Sequence, residues 1–477
     1  MSNKPFYLTT TLPYVNADPH IGFALELVQA DIMARYQRLL GRQVFFSTGT
    51  DEHGQKIFQK AQEEGRDVQE YVDHYAGQFE KLKKGLNLSY DAFIRTTNPK
   101  HIEAAQELWR LCEVAGDIYK KKYKGLYCVG DEMFLRESDL VDGNCPNHPN
   151  MTPIEIEEEN YFFKLSAYQD KLLHYFSNET SILPDWRREE AINFVKGGLE
   201  DFSVSREVAR MSWGIPVPGD ESQVMYVWFD ALTNYISTLG WPSDAQGNFK
   251  QFWQDGEVVQ MAGKDQVRFQ SIIWQAMLMS GGIKNTDTVV YHGFVNSGGQ
   301  KMSKSLGNVI DPYMVAAEYG TDALRYYLAR HISPFEDSDF TIERFKELYN
   351  ANLANGLGNV VSRIMQLAQT HLSGPVTLEY KAFPKEYTDA FEAHTIPVAC
   401  DYVWGRMQEL DQKITELVPF KVVKVDVEKG KEIITELVQE LAFIDQMLEP
   451  IVPLTSKKII EAIMANKKPE NLFPRKD

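Results

Sequence analysis

The alternation of short apolar runs with amphipathic stretches most constrains the fold, and it begins at the N-terminus. Residues 6–10, Phe-Tyr-Leu-Thr-Thr, predict a short buried strand. After a loop with two prolines, apolar residues recur at helical spacing, at Ile21, Leu25, Val28, Ile32, Tyr36 and Leu39. A strand followed by a helix is the repeating unit of an α/β fold.

The alternation continues along the chain. Further strands are predicted at residues 43–47, 226–228, 258–262 and 288–291, and helices at residues 68–85, 101–115 and 267–279. Such alternation implies a parallel sheet that binds ligands at the carboxyl ends of its strands. Asp51, Asp230 and Asp265 each follow a predicted strand, so we expect three carboxylates at that edge.

Five segments follow from the pattern. Residues 1–116 and 223–295 are predicted to be two halves of one α/β domain. An insertion, residues 117–222, lies between them and is rich in Lys, Asn, Pro and acidic residues. Residues 296–341 hold a basic loop and a helical connector, and residues 342–477 predict a helical bundle punctuated by prolines.

Two loops carry candidate chemistry. In the basic loop, residues 300–305, Lys301 and Lys304 are movable charges that suit a triphosphate, although a solvated surface loop is the alternative. In the N-terminal loop, His20 stands at the helix start and Gly22 lacks a side chain where a ligand would lie close. Backbone N–H groups there attract anions, although His20 could simply cap the helix.

Together these two loops resemble the paired signatures of class I aminoacyl-tRNA synthetases, a His-Ile-Gly-His type motif and a Lys-Met-Ser-Lys-Ser motif. Within that class the chain is similar to methionyl-tRNA synthetases from residue 6 to about residue 448. Further local matches occur at residues 50–54, 226–231, 263–265 and 322–327. The resemblance implies a Rossmann-type parallel-sheet catalytic domain, split by a connective insertion and followed by an α-helical anticodon-binding bundle.

The resemblance also implies a two-step reaction. ATP activates methionine to methionyl-adenylate and pyrophosphate is released, after which methionine passes to the 3′ end of tRNA(Met). Neither step needs a covalent enzyme intermediate, so the catalytic groups should be donors and cations. The implied catalytic residues are His20, Lys301 and Lys304, with Mg²⁺ on the phosphates, and Gly22 and Ser303 complete the ATP site. The second histidine of the first motif is Phe23 here, which cannot donate to a phosphate.

The implied methionine site combines a carboxylate for the ammonium group with aromatic walls for the thioether. Its residues are Asp51, Leu12, Tyr14, Trp228, Tyr235, Gln270 and Trp274. Gln270 replaces the family histidine near the sulfur, and Gln266 follows Asp265, so we expect a retuned pocket. The alternative for the aromatic residues, above all Trp274, is plain core.

A structural zinc site is implied within the insertion. Many relatives carry two knuckles at this spacing, and the corresponding residues here are Cys128, Asp131, Cys145 and His148. Zinc accepts an aspartate oxygen, but structural sites prefer sulfur and nitrogen. One structural Zn²⁺ and an empty, degenerate knuckle therefore both remain open, and the preserved spacing favours the metal.

The helical bundle is expected to read the anticodon. Asn359 and Arg363 are four residues apart, hence on one helix face, and match the family residues that contact anticodon bases. Phe420 stands in place of a tryptophan that stacks on the anticodon, and its ring still offers a stacking face. Without the resemblance, Asn359 and Arg363 would be interpreted as solvated helix surface.

Charge and composition restrict the partners. A formal net charge of -17 argues against strong nonspecific binding to nucleic acid, although short lysine clusters exist at residues 81–84, 120–124 and 421–424. No run of eighteen apolar residues predicts a membrane helix. The four cysteines do not suggest a secreted disulfide framework. We therefore expect a cytoplasmic enzyme, and a monomer because the dimerising C-terminal module of some relatives is missing.

Two alternatives stay open. One is another class I synthetase, for cysteine or leucine, against which the short insertion and the three residues Trp228, Tyr235 and Trp274 argue. The other is a non-catalytic tRNA-binding paralogue, for which Phe23 and Gln270 are the only support.

Overall fold

The computed structural model describes residues 4–130, 133–135, 137–146, 149–302, 307–378 and 381–477. Its largest sheet has six strands, in the spatial order Ala92–Arg95, Val44–Thr50, Phe6–Thr9, Glu257–Gly263, Thr288–His292 and Ile182–Leu183. The strand Phe6–Thr9 pairs in parallel with both of its neighbours. The predicted α/β class with a parallel sheet is confirmed.

The two predicted halves of the α/β domain meet in the middle of this sheet. Phe6 lies opposite Glu257, although the two strands are far apart in the sequence. From this pair the strand order runs outward in opposite directions, which makes the gap beyond their carboxyl ends a topological switch point. Ligands of open α/β sheets bind at such points.

The prediction of a strand at residues 226–228 is wrong. The strand there is Asp220–Met225, which pairs antiparallel with Ser205–Glu207 and Pro216–Val217 in a separate sheet. The helix Val227–Leu232 follows at once, so Asp230 lies within a helix. Residues 224–229 are all apolar, and a short run of this kind cannot distinguish a strand from a buried helix.

Within the predicted insertion a four-stranded sheet forms, in the order Met133–Leu135, Ile118–Cys128, Ile154–Phe163 and Phe202–Ser203. Lysines face glutamates across it, with Lys122 opposite Glu159 and Lys124 opposite Glu157. Opposite charges at such positions stabilise strand pairing. The short strand Ile182–Leu183 instead pairs in parallel with Thr288–His292 at the edge of the main sheet, which the sequence did not predict.

The chain divides into two compact units. The first comprises Met1–Pro19, Gly41–Lys83 and Ser89–Tyr291, and the second comprises His20–Leu40, Lys84–Leu88 and His292–Asp477. The helices that begin in the first unit are Gln55–Glu63, Val68–Gly85, Pro99–Val114, Gln169–Tyr175, Asp185–Lys196, Val227–Leu232, Asn234–Ser237 and Trp274–Ser280. Wider π-helical turns occur at Phe249–Gln254 and Val267–Ile273.

The second unit is mainly helical. Its helices are Ile21–Leu39, Pro312–Tyr319, Thr321–Arg330, Ile342–Leu348, Asn359–His371, Lys385–Glu392, Ile396–Leu417, Pro419–Val425, Val427–Leu448 and Pro453–Met464, with a π-helical turn at Tyr349–Gly358. A small sheet contains Gln300–Lys301, Val295–Ser297 and Ser338–Asp339. The predicted helical C-terminal region is confirmed. Among the described helices, none is both long and apolar enough to cross a membrane.

Candidate active site

Asp51 lies at the carboxyl end of the strand Val44–Thr50, beside the loop that follows the first strand. Its backbone N–H donates to the carbonyl of Pro13 at 3.0 Å, and its carbonyl accepts from the N–H of Val15 at 3.3 Å. Tyr14 is thereby held in a parallel bridge with Asp51, and Asp51 is almost fully buried. Two of the predicted methionine-site residues therefore lie side by side at the ligand-binding edge of the sheet.

The two residues after Asp51 bind fixed protein partners. Glu52 is fully buried and accepts two hydrogen bonds from Arg95, at 2.6 and 2.9 Å, and one from Thr97 Oγ1 at 2.5 Å. The bidentate contact is the strong form of a carboxylate–guanidinium pair. His53 Nδ1 lies 2.7 Å from Asp230 Oδ2. Glu52 and His53 thus connect the strand ends and helices around Asp51. Their role is structural, whereas Asp51 is expected to bind the ammonium group of methionine.

Asp230 is the buried centre of a second polar network. Besides His53 it contacts His101, whose Nε2 lies 2.7 Å from Asp230 Oδ1 and whose Nδ1 lies 2.8 Å from Ser237 Oγ. Burial opposes ionisation of this carboxyl group, but the charges and hydrogen bonds of the two histidines outweigh it and lower the pKa of Asp230. Asp230 therefore stays ionised and fixes the helix Val227–Leu232, which carries Trp228.

The predicted aromatic residues form two groups. Trp228 is half-buried, stacks on Phe269 at a centroid distance of 3.9 Å, and meets Tyr14 edge-on at 6.3 Å. In the second group Tyr235 and Trp274 are buried, with ring centroids 5.8 Å apart. Leu12 is half-buried on the same loop as Tyr14. Phe269 stands in no motif of the sequence, and its position next to Gln270 is its only local signal.

Gln270 lies in the π-helical turn Val267–Ile273 and is buried. Its Oε1 accepts a hydrogen bond from the Tyr235 hydroxyl at 3.2 Å. Among the described residues no hydrogen-bond partner reaches its Nε2. A buried amide N–H without a partner costs free energy, and π-helical turns occur often at functional sites. This amide is therefore a candidate donor to a bound ligand.

His20 caps the helix Ile21–Leu39, and its Nδ1 accepts a hydrogen bond from the backbone N–H of Gly22 at 3.0 Å. A Cβ atom on Gly22 would lie 2.8 Å from His20 Cε1, so the glycine makes room for the imidazole ring. Phe23 packs against the same ring, with centroids 5.1 Å apart. Burial, with a smaller effect from the charge of Lys301, lowers the pKa of His20, so the imidazole is neutral at pH 7.

Lys301 ends a short hairpin. The strand Gln300–Lys301 pairs antiparallel with Val295–Ser297, and the turn uses Gly298 and Gly299, both with positive φ. The Lys301 side chain is exposed, and its Nζ lies 5.2 Å from the centre of the Phe294 ring. The predicted ATP-site residues Ser303 and Lys304 lie outside the described residues.

The two cysteines of the predicted zinc site come together. Cys128 ends the strand Ile118–Cys128, and it shares a small buried cluster with Cys145 and Leu135. Asp131 and His148 lie outside the described residues. Over the described ranges, no group of three potential metal ligands occurs.

The predicted anticodon residues lie on two helices of the second unit that pack against each other, Asn359–His371 and Pro419–Val425. Asn359 is exposed, and Arg363 forms an ion pair with Asp411 on a partly exposed surface. Phe420 is 43% exposed although it is aromatic. An exposed aromatic ring, on a helix that packs against the one carrying the arginine and the amide, is compatible with base stacking.

Comparison with known proteins gives consistent results. A family model described as tRNA synthetases class I (M) matches residues 6–152 and 149–365. A methionine–tRNA ligase of Rhizobium meliloti is 41% identical over 480 residues, which cover 96% of this chain and 92% of the relative. One of Caldanaerobacter subterraneus is 40% identical, covering 96% of this chain and 74% of the relative. The Mycobacterium tuberculosis methionyl-tRNA synthetase in complex with methionyl-adenylate superposes with a TM-score of 0.88 at 36% identity, over 99% of both chains.

Proposed function

The chain belongs to the methionine–tRNA ligases among the class I tRNA synthetases, and on that premise we propose how its own residues perform the reaction. Its activity is to join methionine to tRNA in two steps, through methionyl-adenylate. The observation that carries the assignment of residues is the bridge between Tyr14 and Asp51 at the carboxyl edge of the sheet.

Methionine is held by its ammonium group and its thioether. Asp51 binds the ammonium group, while Glu52 and His53 keep that strand end in place through Arg95 and Asp230. Trp228 and Tyr14 form one wall of the pocket and Tyr235 with Trp274 the other, with sulfur–aromatic contacts of roughly 0.3–1.5 kcal/mol each. Gln270 donates its Nε2–H towards the sulfur, which gives that buried amide a partner.

In the first step the methionine carboxylate attacks the α-phosphorus of ATP, and pyrophosphate leaves. Negative charge shifts during this step, so positioned donors and cations lower the barrier. His20 donates from Nε2, because its Nδ1 is the acceptor for Gly22. Lys301 and Lys304 neutralise the departing pyrophosphate, and Ser303 completes the site. Gly22 contributes by leaving room for the His20 ring. Mg²⁺ bound to the phosphates supplies further neutralising charge.

In the second step the 3′-terminal ribose hydroxyl of tRNA attacks the activated carbonyl. The bundle selects tRNA(Met) through Asn359, Arg363 and Phe420. Arg363 already pairs with Asp411, so base contact requires an exchange or a sharing of this ion pair. The cytoplasmic location and the monomeric state expected from the sequence stay predictions.

The knuckle in the insertion binds one structural zinc ion. Two buried thiols in one cluster have the donor chemistry that structural zinc sites prefer. Cys128 and Cys145 would supply the sulfur ligands, and Asp131 and His148 the other two.

Elemental analysis after growth with added zinc should give about one zinc per chain. Cys145→Ala should abolish it, whereas Cys112→Ala, at a buried cysteine in the main core, should not. Zinc absent from the unaltered enzyme would refute the site.

The catalytic assignment is tested with Lys301→Ala in methionine-dependent ATP–pyrophosphate exchange. Because the lysine charge is used mainly in the transition state, kcat should fall about 100-fold or more with little change in the KM for methionine. The control is Lys250→Ala, which removes an exposed lysine paired with Asp255. A raised KM with an unchanged kcat would contradict the catalytic role.

A further inference from the structure

Arg325, in the helix Thr321–Arg330, is a fully buried guanidinium. Its Nη1 pairs with Asp31 Oδ2 at 2.7 Å, and neither side chain is exposed to solvent. Its donors also contact three backbone carbonyls, those of Ile451 at 3.0 Å, Pro450 at 2.9 Å and Leu86 at 3.1 Å. A buried charge is tolerated only when it is paired and hydrogen-bonded. Arg325 therefore fixes three separate segments of the second unit relative to each other.

Asp31 lies on the helix Ile21–Leu39, whose N-cap is His20. Asp31 Oδ2 also accepts from Arg35 Nε at 2.7 Å, and Arg35 Nη2 donates to the Asn87 carbonyl at 2.7 Å. Along a helix axis the eleven-residue separation of Asp31 from His20 spans about 16 Å. Because a helix is stiff over that length, a slide or rotation at Asp31 moves His20 as well.

Two contacts attach the same helix to the segments on either side of the basic loop. Glu26 Oε2 lies 2.7 Å from His292 Nε2 in a buried pair. The Ile21 N–H donates to the Ile310 carbonyl at 3.0 Å. His292 precedes the hairpin that ends at Lys301, and Ile310 follows the basic loop. The helix that carries His20 is therefore also fixed to the segments that flank the basic loop.

The other contacts of Arg325 are to the bundle. Pro450 and Ile451 form the turn between the helices Val427–Leu448 and Pro453–Met464. One turn before Arg325, Asp322 Oδ2 accepts from the backbone N–H of Thr455 at 2.5 Å, in the second of these helices. The helix Thr321–Arg330 thus holds the bundle at two neighbouring points, at the turn itself and at the start of the helix that follows it.

We propose that Arg325 is a positioning residue for methionine activation, which acts through Asp31 to set the helix that presents His20 to ATP. The inference rests on the proposed role of His20. It requires a guanidinium, because the planar fork supplies five donors in fixed directions. A lysine keeps the charge and can pair with Asp31, but it cannot hold Asp31 and the carbonyls of both Ile451 and Pro450 in the same geometry.

The first measurement compares Arg325→Lys with the unaltered full chain in methionine-dependent ATP–pyrophosphate exchange. The kcat should fall about 10-fold while the KM for methionine changes less than about twofold, as expected for a lost coupling of moderate strength. The control is Arg344→Lys, at an exposed arginine of the same unit that pairs with Glu347. This control should leave both constants unchanged. A raised KM for methionine with an unchanged kcat would overturn the inference.

The decisive measurement repeats Arg325→Lys in a His20→Ala background. If Arg325 acts through His20, the second substitution should lower kcat no further than about twofold, because residues that act as a unit are not additive. A merely structural role predicts the same 10-fold loss in both backgrounds, and that result would overturn the inference. If His20→Ala alone leaves kcat unchanged, the proposed role of His20 fails first, and this inference with it. Should Arg325→Lys not fold, Asp31→Asn, which keeps an acceptor oxygen in place, takes its place in the same cycle.

Discussion

The imidazole of His20 accepts a hydrogen bond at Nδ1 from the backbone N–H of Gly22, at 3.0 Å. A neutral imidazole that accepts at one nitrogen carries its proton on the other, so Nε2 is the donor. Burial and the nearby charge of Lys301 lower the pKa of His20, which keeps the ring neutral at pH 7. From the sequence alone, helix capping and phosphate binding are alternative roles for His20. In the structure Nδ1 caps the helix, which leaves Nε2 able to donate to a phosphate.

The two roles of His20 can be separated by substitution. Asparagine is a favoured N-cap residue, so His20→Asn should retain the cap and thermal stability while kcat for pyrophosphate exchange falls about 100-fold. His20→Ala should lose the cap as well, at about 1 kcal/mol of unfolding free energy. Thermal unfolding and exchange kinetics on both variants make the comparison. A His20→Asn enzyme with unaltered kcat would show that His20 only caps.

The stability of the helical unit should depend on pH through His331. Burial, reinforced by the charge of Arg330, lowers the pKa of His331 to about 4 from its usual 6.5. Between these values the unfolded chain binds a proton that the folded chain does not, so stability is complete above pH 6.5 and falls as the pH drops towards 4. In His331→Gln, which does not titrate, the melting temperature should fall less steeply over this range. Parallel pH profiles of the two proteins would contradict the assignment.

Gln270 should affect methionine binding and not ATP binding. Gln270→Leu keeps the size of the side chain but removes the acceptor for the Tyr235 hydroxyl and the buried Nε2–H. The KM for methionine should rise about 10-fold, the equivalent of one lost hydrogen bond, with the KM for ATP unchanged. Gln270→His should be tolerated better. Homocysteine, which is one methylene shorter, should still compete with methionine. Its binding free energy should be only about 1–3 kcal/mol less favourable. Equal shifts in both KM values would argue against contact with methionine.

Phe420 should affect tRNA charging and not methionine activation. Phe420→Ala removes one base-stacking contact. The activation free energy of aminoacylation, obtained from kcat/KM, should therefore rise by about 1–3 kcal/mol, with pyrophosphate exchange unaffected. Phe420→Trp should be tolerated because it keeps a stacking face. The control is Val425→Ala, at a residue of the same helix that is 92% exposed. Equal charging of CAU and anticodon-swapped transcripts by the unaltered enzyme would contradict the assignment.

Elements with a long or clear period were predictable from the sequence. The helix Val68–Gly85 has the predicted bounds, and the strand predicted at residues 43–47 is observed at Val44–Thr50. Residues 226–228 were predicted wrongly, because a short apolar run fits a buried helix as well as a strand. Residues 267–279 were predicted as helix, but the wider π-helical turn at Val267–Ile273 is not encoded in the apolar period.

Candidate site residues could be named from the sequence where they stand in motifs, but not where they meet only in space. His20, Asp51 and Lys301 could be named from local sequence. The contact between Asp230 and His101 joins residues 129 positions apart. Phe269 stands next to Gln270 in the sequence, but it meets Trp228 only in space. Such pairs depend on tertiary packing, which no local pattern specifies.

The most direct test of the account is ATP–pyrophosphate exchange measured separately with each standard amino acid. Asp51 with the aromatic walls around Trp228 and Trp274 predicts strong, saturable exchange with methionine. Cysteine and leucine, the substrates of the alternative class I enzymes, should give only background. Exchange driven mainly by another amino acid, or no exchange with methionine, would contradict it.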